Sequence, residues 1–374
     1  MKISVLGAGN AGCFTALNYA WRSRKYDHIQ IELIHNPEIP SEKVGQGTFP
    51  NALHLLDYSL GINWYNNPIH ATPKSGILYE GWGKVNEEVF HPFPSDNIAM
   101  HYCPSKTQDA ILKSGHFDVV EDDVLDPKEI DADYIFDCRG TPKDLTDYNI
   151  LNNPINSAIL ALPNWNTKES LWTRAVATPD GWSFIIPMHS DSPSNVGAVG
   201  YLYNNNITSK EIAEYHLHEM FDVDVTRHLT FKNYVAKNPV IDGRIFLNGN
   251  RLFFLEPLEA NAIQTYLRVN DIIMDQIIWN KKSSEQTSES ILRLIEEVQN
   301  FILWHYQYGS RYDTPFWEYA SSLSFDDPMF NISLNKVKKS IEENWDGIRT
   351  ATQLYGHWLP FSMENWYNGM TVYK

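Results

Sequence analysis

Cysteine is scarce in this chain: Cys13, Cys103 and Cys138 are the three among 374 residues. An odd number without metal-ligand spacing argues against a disulfide framework and against a structural zinc site. A reducing, cytoplasmic setting is therefore expected, and no metal. Long apolar runs are lacking as well. No stretch approaches the roughly eighteen residues of a membrane span, and Met1 to Leu6 lead straight into a strand, where a signal peptide would show a longer apolar region. Basic charge is also short, since 30 Lys and Arg stand against 46 Asp and Glu for a net charge of −16. Such a field repels phosphate backbones and anionic headgroups, so neither nucleic acid nor a membrane is an expected partner.

Aromatic residues, in contrast, are plentiful: 12 Trp, 20 Tyr and 17 Phe make up 13% of the chain. That exceeds what a core alone needs, and some are expected to line a ligand cavity. With 43% hydrophobic and 20% charged residues the chain reads as globular, long enough for one large domain or two ordinary ones.

The most informative local pattern lies at the N-terminus. Lys2 to Leu6 reads KISVL, a short apolar strand, and runs into Gly7-Ala8-Gly9-Asn10-Ala11-Gly12 and then the helical stretch CFTALNYAWRSR. A second strand, IQIELIHN, completes a βαβ unit. The glycines allow a tight turn, close approach of backbone to a pyrophosphate and close helix packing, with phosphate at the helix N-terminus. The acidic residue expected after the second strand is replaced by His35 or Asn36, so a ribose contact there uses a neutral donor or is lost. DADYIFDCRG, which contains Asp137 and Gly140, reads as a further strand and turn closing the nucleotide sheet. WSFIIPM and NVGAVGYLY read as strands of a second sheet, SKEIAEYHLHEMF as an amphipathic helix and IFLNGN as a strand. Beyond Glu259 the pattern is helical, with KKSSEQTSES as an interhelical loop and further loops at YGSRYDTP and FDDPMF.

Several separated segments together resemble the flavin-dependent halogenases of the tryptophan halogenase type. The family's flavin strap matches Val44-Gly45-Gln46-Gly47-Thr48-Phe49-Pro50-Asn51, and its catalytic lysine falls on Lys74 in Ala71-Thr72-Pro73-Lys74-Ser75-Gly76. Its glutamate segment matches Glu256-Pro257-Leu258-Glu259-Ala260-Asn261, and its WxWxIP signature appears as Trp182-Ser183-Phe184-Ile185-Ile186-Pro187. HYQYGSRYDTPFW adds a further match. The resemblance implies an α/β fold: an FAD-binding Rossmann-like domain of the glutathione reductase/flavin monooxygenase type, an interleaved substrate-binding β-sheet and a C-terminal helical region. It implies one unit over 1–374, with 1–150 and 235–280 binding FAD, 151–234 forming the substrate sheet and 281–374 the helical region.

The implied chemistry uses reduced FAD (FADH2), O2 and a halide ion to make hypohalous acid, which is delivered to an electron-rich aromatic. Lys74 would hold that species through its ammonium, or as a haloamine if burial lowers its pKa, and Glu259 would orient it and accept the ring proton. Cofactor contacts carry over to Gly7, Gly9, Asn10, Ala11, Gly12, His35, Val44, Gly45, Gln46, Gly47, Thr48, Asp137, Gly140, Gly249 and Asn250. The backbone amides of Asn261 and Ala262 would hold halide, and Trp182, Phe184 and Pro187 would line the substrate pocket and part it from the flavin.

The sequence departs from the family in four ways. Gly249-Asn250 is followed by bulky Arg251, Leu252 and Phe253; Ala260 and Ala262 replace a hydroxyl residue and a glycine; Gln46 replaces a glutamate; and the chain is short between Ala177 and Gly181 and in its C-terminal region. The shortening puts free tryptophan in doubt and suggests a more open pocket for indoles, phenols or other small arenes. With no second dinucleotide motif, FADH2 would come by diffusion from a separate flavin reductase. Rival readings are an FAD-dependent monooxygenase, a non-catalytic flavin-binding relative and, more distantly, an NAD dehydrogenase. The oligomeric state stays open, a homodimer included.

Overall fold

The computed structural model describes residues 1–40, 44–93, 97–167, 170–187, 197–343 and 355–373. Met188, Asn195 and Val196, at the edges of two expected strands, lie outside that set. The chain divides into two compact units, Met1–Ala71 with Tyr102–Leu151 and Lys232–Ile295, and Thr72–His101 with Asn152–Phe231 and Glu296–Lys374. The segment 72–101 thus groups with 152–231 rather than with the rest of 1–150.

The first unit is built on a six-stranded sheet in the order Val240–Ile241, Ile245–Leu247, Tyr134–Asp137, Lys2–Leu6, Gln30–His35, Asp118–Glu121. All neighbours are parallel except the first pair. Parallel strands are buried on both faces, which is why KISVL and YIFD read as short continuous apolar runs. The helix Asn10–Ser23 follows the first strand directly, and a Cβ at Gly12 would lie 1.7 Å from the Gly7 carbonyl oxygen, so that crossing requires glycine. This helix packs on Ala262–Ile277 through a buried polar seam. Asn248 Nδ2 donates to Asn270 Oδ1 at 3.0 Å and to Thr15 Oγ1 at 3.2 Å, and the Tyr19 hydroxyl donates to the Asn270 carbonyl at 3.0 Å.

The second unit carries a seven-stranded sheet ordered Val223–Thr230, Ser157–Pro163, Gly197–Tyr203, Gly181–Pro187, Thr173–Thr178, Gly76–Glu80, Glu88–Pro92. It is antiparallel apart from the pair Thr173–Thr178 and Gly76–Glu80. On one face Ile159, Val176, Ile185, Val199 and Tyr201 pack with Ala213 and Leu217 of the helix Lys210–Met220. By the alternation of strands the other face carries Trp182 and Phe184, and it is aromatic: Trp82 lies 6.5 Å from Trp182, 5.2 Å from Trp317 and 6.2 Å from Trp366, between ring centroids. Part of the aromatic excess therefore fills this core. The short connection foreseen between Ala177 and Gly181 is a hairpin turn, pinned where Trp317 Nε1 donates to the Thr178 carbonyl at 2.7 Å.

Two expected loops begin as helix. The helix Ser284–Tyr306 takes in most of KKSSEQTSES because Ser283 and Gln286 form a capping box: Gln286 N donates to Ser283 Oγ at 3.3 Å and Ser283 N to Gln286 Oε1 at 2.9 Å. Likewise Asp327 accepts from Met329 N at 2.9 Å and starts the helix Pro328–Glu342 inside FDDPMF.

Candidate active site

The glycine turn of the first unit opens on a cavity of about 1140 Å³ lined by Gly7, Gly9, Asn10, His35, Arg139 and Arg251, among others. A Cβ at Gly9 or Gly140 would meet nothing within 4 Å, so at both positions the backbone itself borders open space. Volume and bare backbone together suit a dinucleotide cofactor. Gly249 presses on the first turn of the helix, where a Cβ would sit 2.4 Å from the Ala11 Cβ. The strap is also tied in. Asn10 Nδ2 donates to Gln46 Oε1 at 2.9 Å, and the Tyr102 hydroxyl donates to the same oxygen at 3.2 Å. An amide in place of the family's carboxylate thus serves as a neutral acceptor. Thr48 is buried, and Val44, Gly45 and Gly47 complete the described strap.

At the end of the second strand, His35 lines the cavity and its carbonyl accepts from Asp122 N at 3.0 Å. Asn36 lines it too, but its Oδ1 accepts from Glu38 N at 2.9 Å. Asp137 is buried, and its two oxygens accept from Arg139 Nε and Nη2 at 2.8 Å each. This bidentate bond raises the Arg139 pKa further above its ordinary value, so that guanidinium is permanently charged. Asn250, an expected cofactor contact, is fixed through its carbonyl by the Tyr234 hydroxyl at 2.7 Å and through Oδ1 by Tyr266 at 3.2 Å.

Glu259, buried, and Ala260, partly exposed, follow, both left-handed with φ of 68° and 53°. Two successive non-glycine residues in that region cost of order 1–2 kcal/mol each, strain that gathers at functional turns. Asn261 braces the turn, its Nδ2 donating to the Leu258 carbonyl at 2.8 Å. Ala262 is the first residue of the helix Ala262–Ile277, so the glycine expected there is not needed for conformation, and the strain falls two and three residues earlier.

In the second unit Lys74 is fully buried, at 0% exposure. It sits on the strand Thr72–Lys74, which pairs antiparallel with Ala99–Tyr102 in the register Thr72↔His101 and Lys74↔Ala99. Directly paired residues share a face, so Thr72, Lys74, Ala99 and His101 all point to one side. Lys74 Nζ lies 5.2 Å from the Phe93 ring centroid, a cation–π contact whose value rises in dry surroundings. His101 Nε2 shares a hydrogen with Thr173 Oγ1 at 2.8 Å. Burial, and then the Lys74 charge, hold the His101 pKa well below its ordinary value, so a neutral imidazole stands beside the lysine. Thr72 Oγ1 donates to the Pro187 carbonyl at 3.1 Å and thereby links the lysine strand to the end of WSFIIP. Trp182, Phe184 and Pro187 are all buried, and the Phe184 ring occupies the space above Gly200, where a Cβ would come within 2.2 Å of it.

Sequence reading singled out Lys74 but neither His101 nor Phe93. Their relation to Lys74 comes from strand pairing and long loops rather than from local spacing, and only the alternation of HYC against TPK could have hinted at it.

A glycine-turn cavity at the end of a parallel sheet places the chain among the α/β proteins that bind a nucleotide cofactor. More narrowly, the family model of tryptophan halogenases matches residues 2–108 and 113–366, and the chain belongs to that family of enzymes. It is 22% identical to the tryptophan 6-halogenase ThaL of Streptomyces albogriseolus over 87% of this chain and 80% of that one. To the 7-chloro-L-tryptophan 6-halogenase KtzR of Kutzneria sp. (strain 744) it is 21% identical, over 84% and 80%. Among solved structures, Xcc4156, a flavin-dependent halogenase from Xanthomonas campestris, superposes with a TM-score of 0.79 at 18% identity, covering 99% of this chain and 89% of that one.

Proposed function

We propose that the protein is a flavin-dependent halogenase that uses FADH2, O2 and a halide ion to halogenate an electron-rich aromatic of the indole or phenol type. The observation that carries this reading is the complete burial of Lys74 in a segment matching the family's catalytic lysine. Burying an ammonium is costly, and a chain retains such a group where it has work to do. Reduced FAD would supply, with O2, the oxidant that turns halide into hypohalous acid. The glycine turn, Asn10, Gln46 and the Gly249-Asn250 segment would hold the cofactor.

Lys74 donates a hydrogen bond from Nζ to the hypohalous acid and keeps it from diffusing away. Glu259 accepts the proton that leaves the arene, and its strained turn holds the carboxylate in place. The amides of Asn261 and Ala262, at a helix N-terminus, suit a halide. Trp182, Phe184 and Pro187 form the wall that keeps the arene from the flavin. FADH2 comes from a separate flavin reductase, and the three free cysteines fit a cytoplasmic protein.

Phe184 in place of the second tryptophan favours a second reading, a monooxygenase that transfers oxygen to the arene. Purified protein with FAD, a reductase, NADH, O2 and each halide in turn, read against an indole and phenol panel by mass spectrometry, separates the two. Halogenated product that disappears in Lys74→Ala is expected. Oxygenated product independent of halide would replace this reading with the monooxygenase.

A further inference from the structure

The cofactor cavity is walled by acid. Asp122, Asp123, Asp126, Asp144 and Asp147 all line it, in a chain of net charge −16, yet the proposed cofactor carries a diphosphate. A site of that sign needs a fixed cation where the phosphates lie, because helix-terminal amides contribute only partial charges.

The lining cations differ in what they have left to give. Arg139 is spent: Nε and Nη2 go to Asp137, and Nη1 goes to the carbonyls of Val124 at 2.6 Å and Leu125 at 3.1 Å. Lys128 is paired with Asp242 at 2.8 Å, and Lys143 is exposed. Among the described residues Arg251 donates only Nε, to Asp137 at 3.1 Å. Asp137 is already satisfied by the bidentate Arg139, so Arg251 is not needed to neutralise it. Two guanidiniums around one carboxylate leave one positive charge in surplus.

Arg251 is also braced. Its carbonyl accepts from the Tyr148 hydroxyl at 2.8 Å, the preceding Asn250 is held by Tyr234 and Tyr266, and Gly249 abuts Ala11 in the first helical turn. The braced loop therefore holds Arg251 in the lining of the same cavity as Gly7, Gly9 and Asn10, the turn whose helix N-terminus suits an anion.

We propose that Arg251, oriented by Asp137, is the cation that grips the diphosphate of the dinucleotide cofactor, and that it offsets the acidic wall. Its two Nη groups suit phosphate oxygens, and its Nε bond fixes their aim. The assignment rests on the FAD-binding reading above, but its test reads binding and not turnover.

FAD affinity is measured by flavin fluorescence in the wild-type protein, Arg251→Met, Arg251→Lys and Lys143→Met, and ADP and adenosine are compared as competitors. In wild type, ADP should compete at least tenfold better than adenosine. Arg251→Met should weaken FAD by tenfold or more and bring ADP and adenosine close to equal, Arg251→Lys should fall between, and Lys143→Met should change FAD affinity less than threefold. A merely structural role for Arg251 would weaken ADP and adenosine alike, and that outcome overturns the proposal. So does an unchanged FAD affinity in Arg251→Met, or an equal loss in Lys143→Met, which would indicate a diffuse charge effect. Should Arg251→Met fail to fold, equal competition by ADP and adenosine in the wild-type protein overturns it unaided. Wild-type protein that binds no FAD refutes the flavin reading itself, and this assignment with it.

Discussion

In the unit of the parallel sheet, the candidate cofactor wall brings bare backbone and charged side chains, among apolar residues such as Leu6, Ile34 and Leu247, to an open cavity: Gly9 and Gly140 border space, and Asp137 anchors two arginines. In the unit of the seven-stranded sheet, the candidate catalytic lysine has no exposure at all and stands beside Phe93 and a neutral His101. The first arrangement suits holding a large anionic cofactor, since amides and guanidiniums lose little by facing water until the ligand arrives. The second suits handling a small reactive species, since water would compete for every hydrogen bond from Nζ and consume the oxidant. The two candidate sites thus differ in their access to water, one open and lined by fixed charges, the other closed around a buried ammonium.

Lys74→Ala gives the largest expected effect and tests that separation directly. Halogenated product should fall by about 100-fold or more, the scale on which a positioned proton donor contributes, while FAD affinity stays within twofold. Loss of FAD binding in the same variant would break the comparison. Gly12→Ala should do the reverse. Its Cβ would lie 1.7 Å from the Gly7 carbonyl oxygen, an overlap with backbone that no rotamer relieves, so about 3 kcal/mol of stability and most FAD binding should be lost. Denaturant midpoints and flavin titration measure both, and FAD affinity at the wild-type level would show that the turn is not the cofactor's seat.

The two units differ as sharply in what a reader of the sequence can extract. The strand, glycine turn and helix of Lys2 to Ser23 are a local code, in which spacing alone fixes the backbone, and they stand where the spacing put them. His101 becomes a neighbour of Lys74 only through pairing across a connection of more than twenty residues, and Phe93 only because the hairpin Gly76–Glu80 and Glu88–Pro92 returns the chain to Ser75, whose carbonyl accepts from Phe93 N at 3.0 Å, relations that periodicity does not encode. The same holds for strands such as Ser157–Pro163 and Val223–Thr230, which sequence patterning passed over. The start of Ser284–Tyr306 was legible in principle, since Ser283 and Gln286 have capping-box spacing, but the run of polar residues around them masks a helix whose apolar positions come later. The positive φ of Glu259 and Ala260 was not legible, because neither residue type favours that region and the turn imposes it.

His101 allows a subtler test of the dry environment. Its folded-state pKa lies well below the unfolded value of about 6.5, with burial the first cause and Lys74 the second. Above pH 6.5 the imidazole is neutral in both states and contributes no pH dependence. Below it the unfolded chain takes up the proton first, so stability falls as pH drops, by up to about 1.4 kcal/mol per unit until the folded pKa is reached. His101→Gln should remove that component. Urea midpoints for both proteins between pH 5 and 8 measure the difference, and parallel curves would mean that the imidazole is not held neutral.

The smallest expected effect concerns the strained turn. Ala260 has φ 53°, and a Cβ there costs about 1–2 kcal/mol that glycine avoids, against about 0.5–1 kcal/mol of additional chain entropy lost on folding a glycine. Ala260→Gly should therefore stabilise the protein by about 0.5–1 kcal/mol and raise Tm by about 1 °C. If the turn holds Glu259 for proton acceptance, the same change should lower the halogenation rate several-fold without altering FAD affinity, because glycine frees the backbone next to the carboxylate. A higher Tm with an unchanged rate would confine the strain to stability, and a lower Tm would mean that the left-handed conformation is held by contacts worth more than its cost.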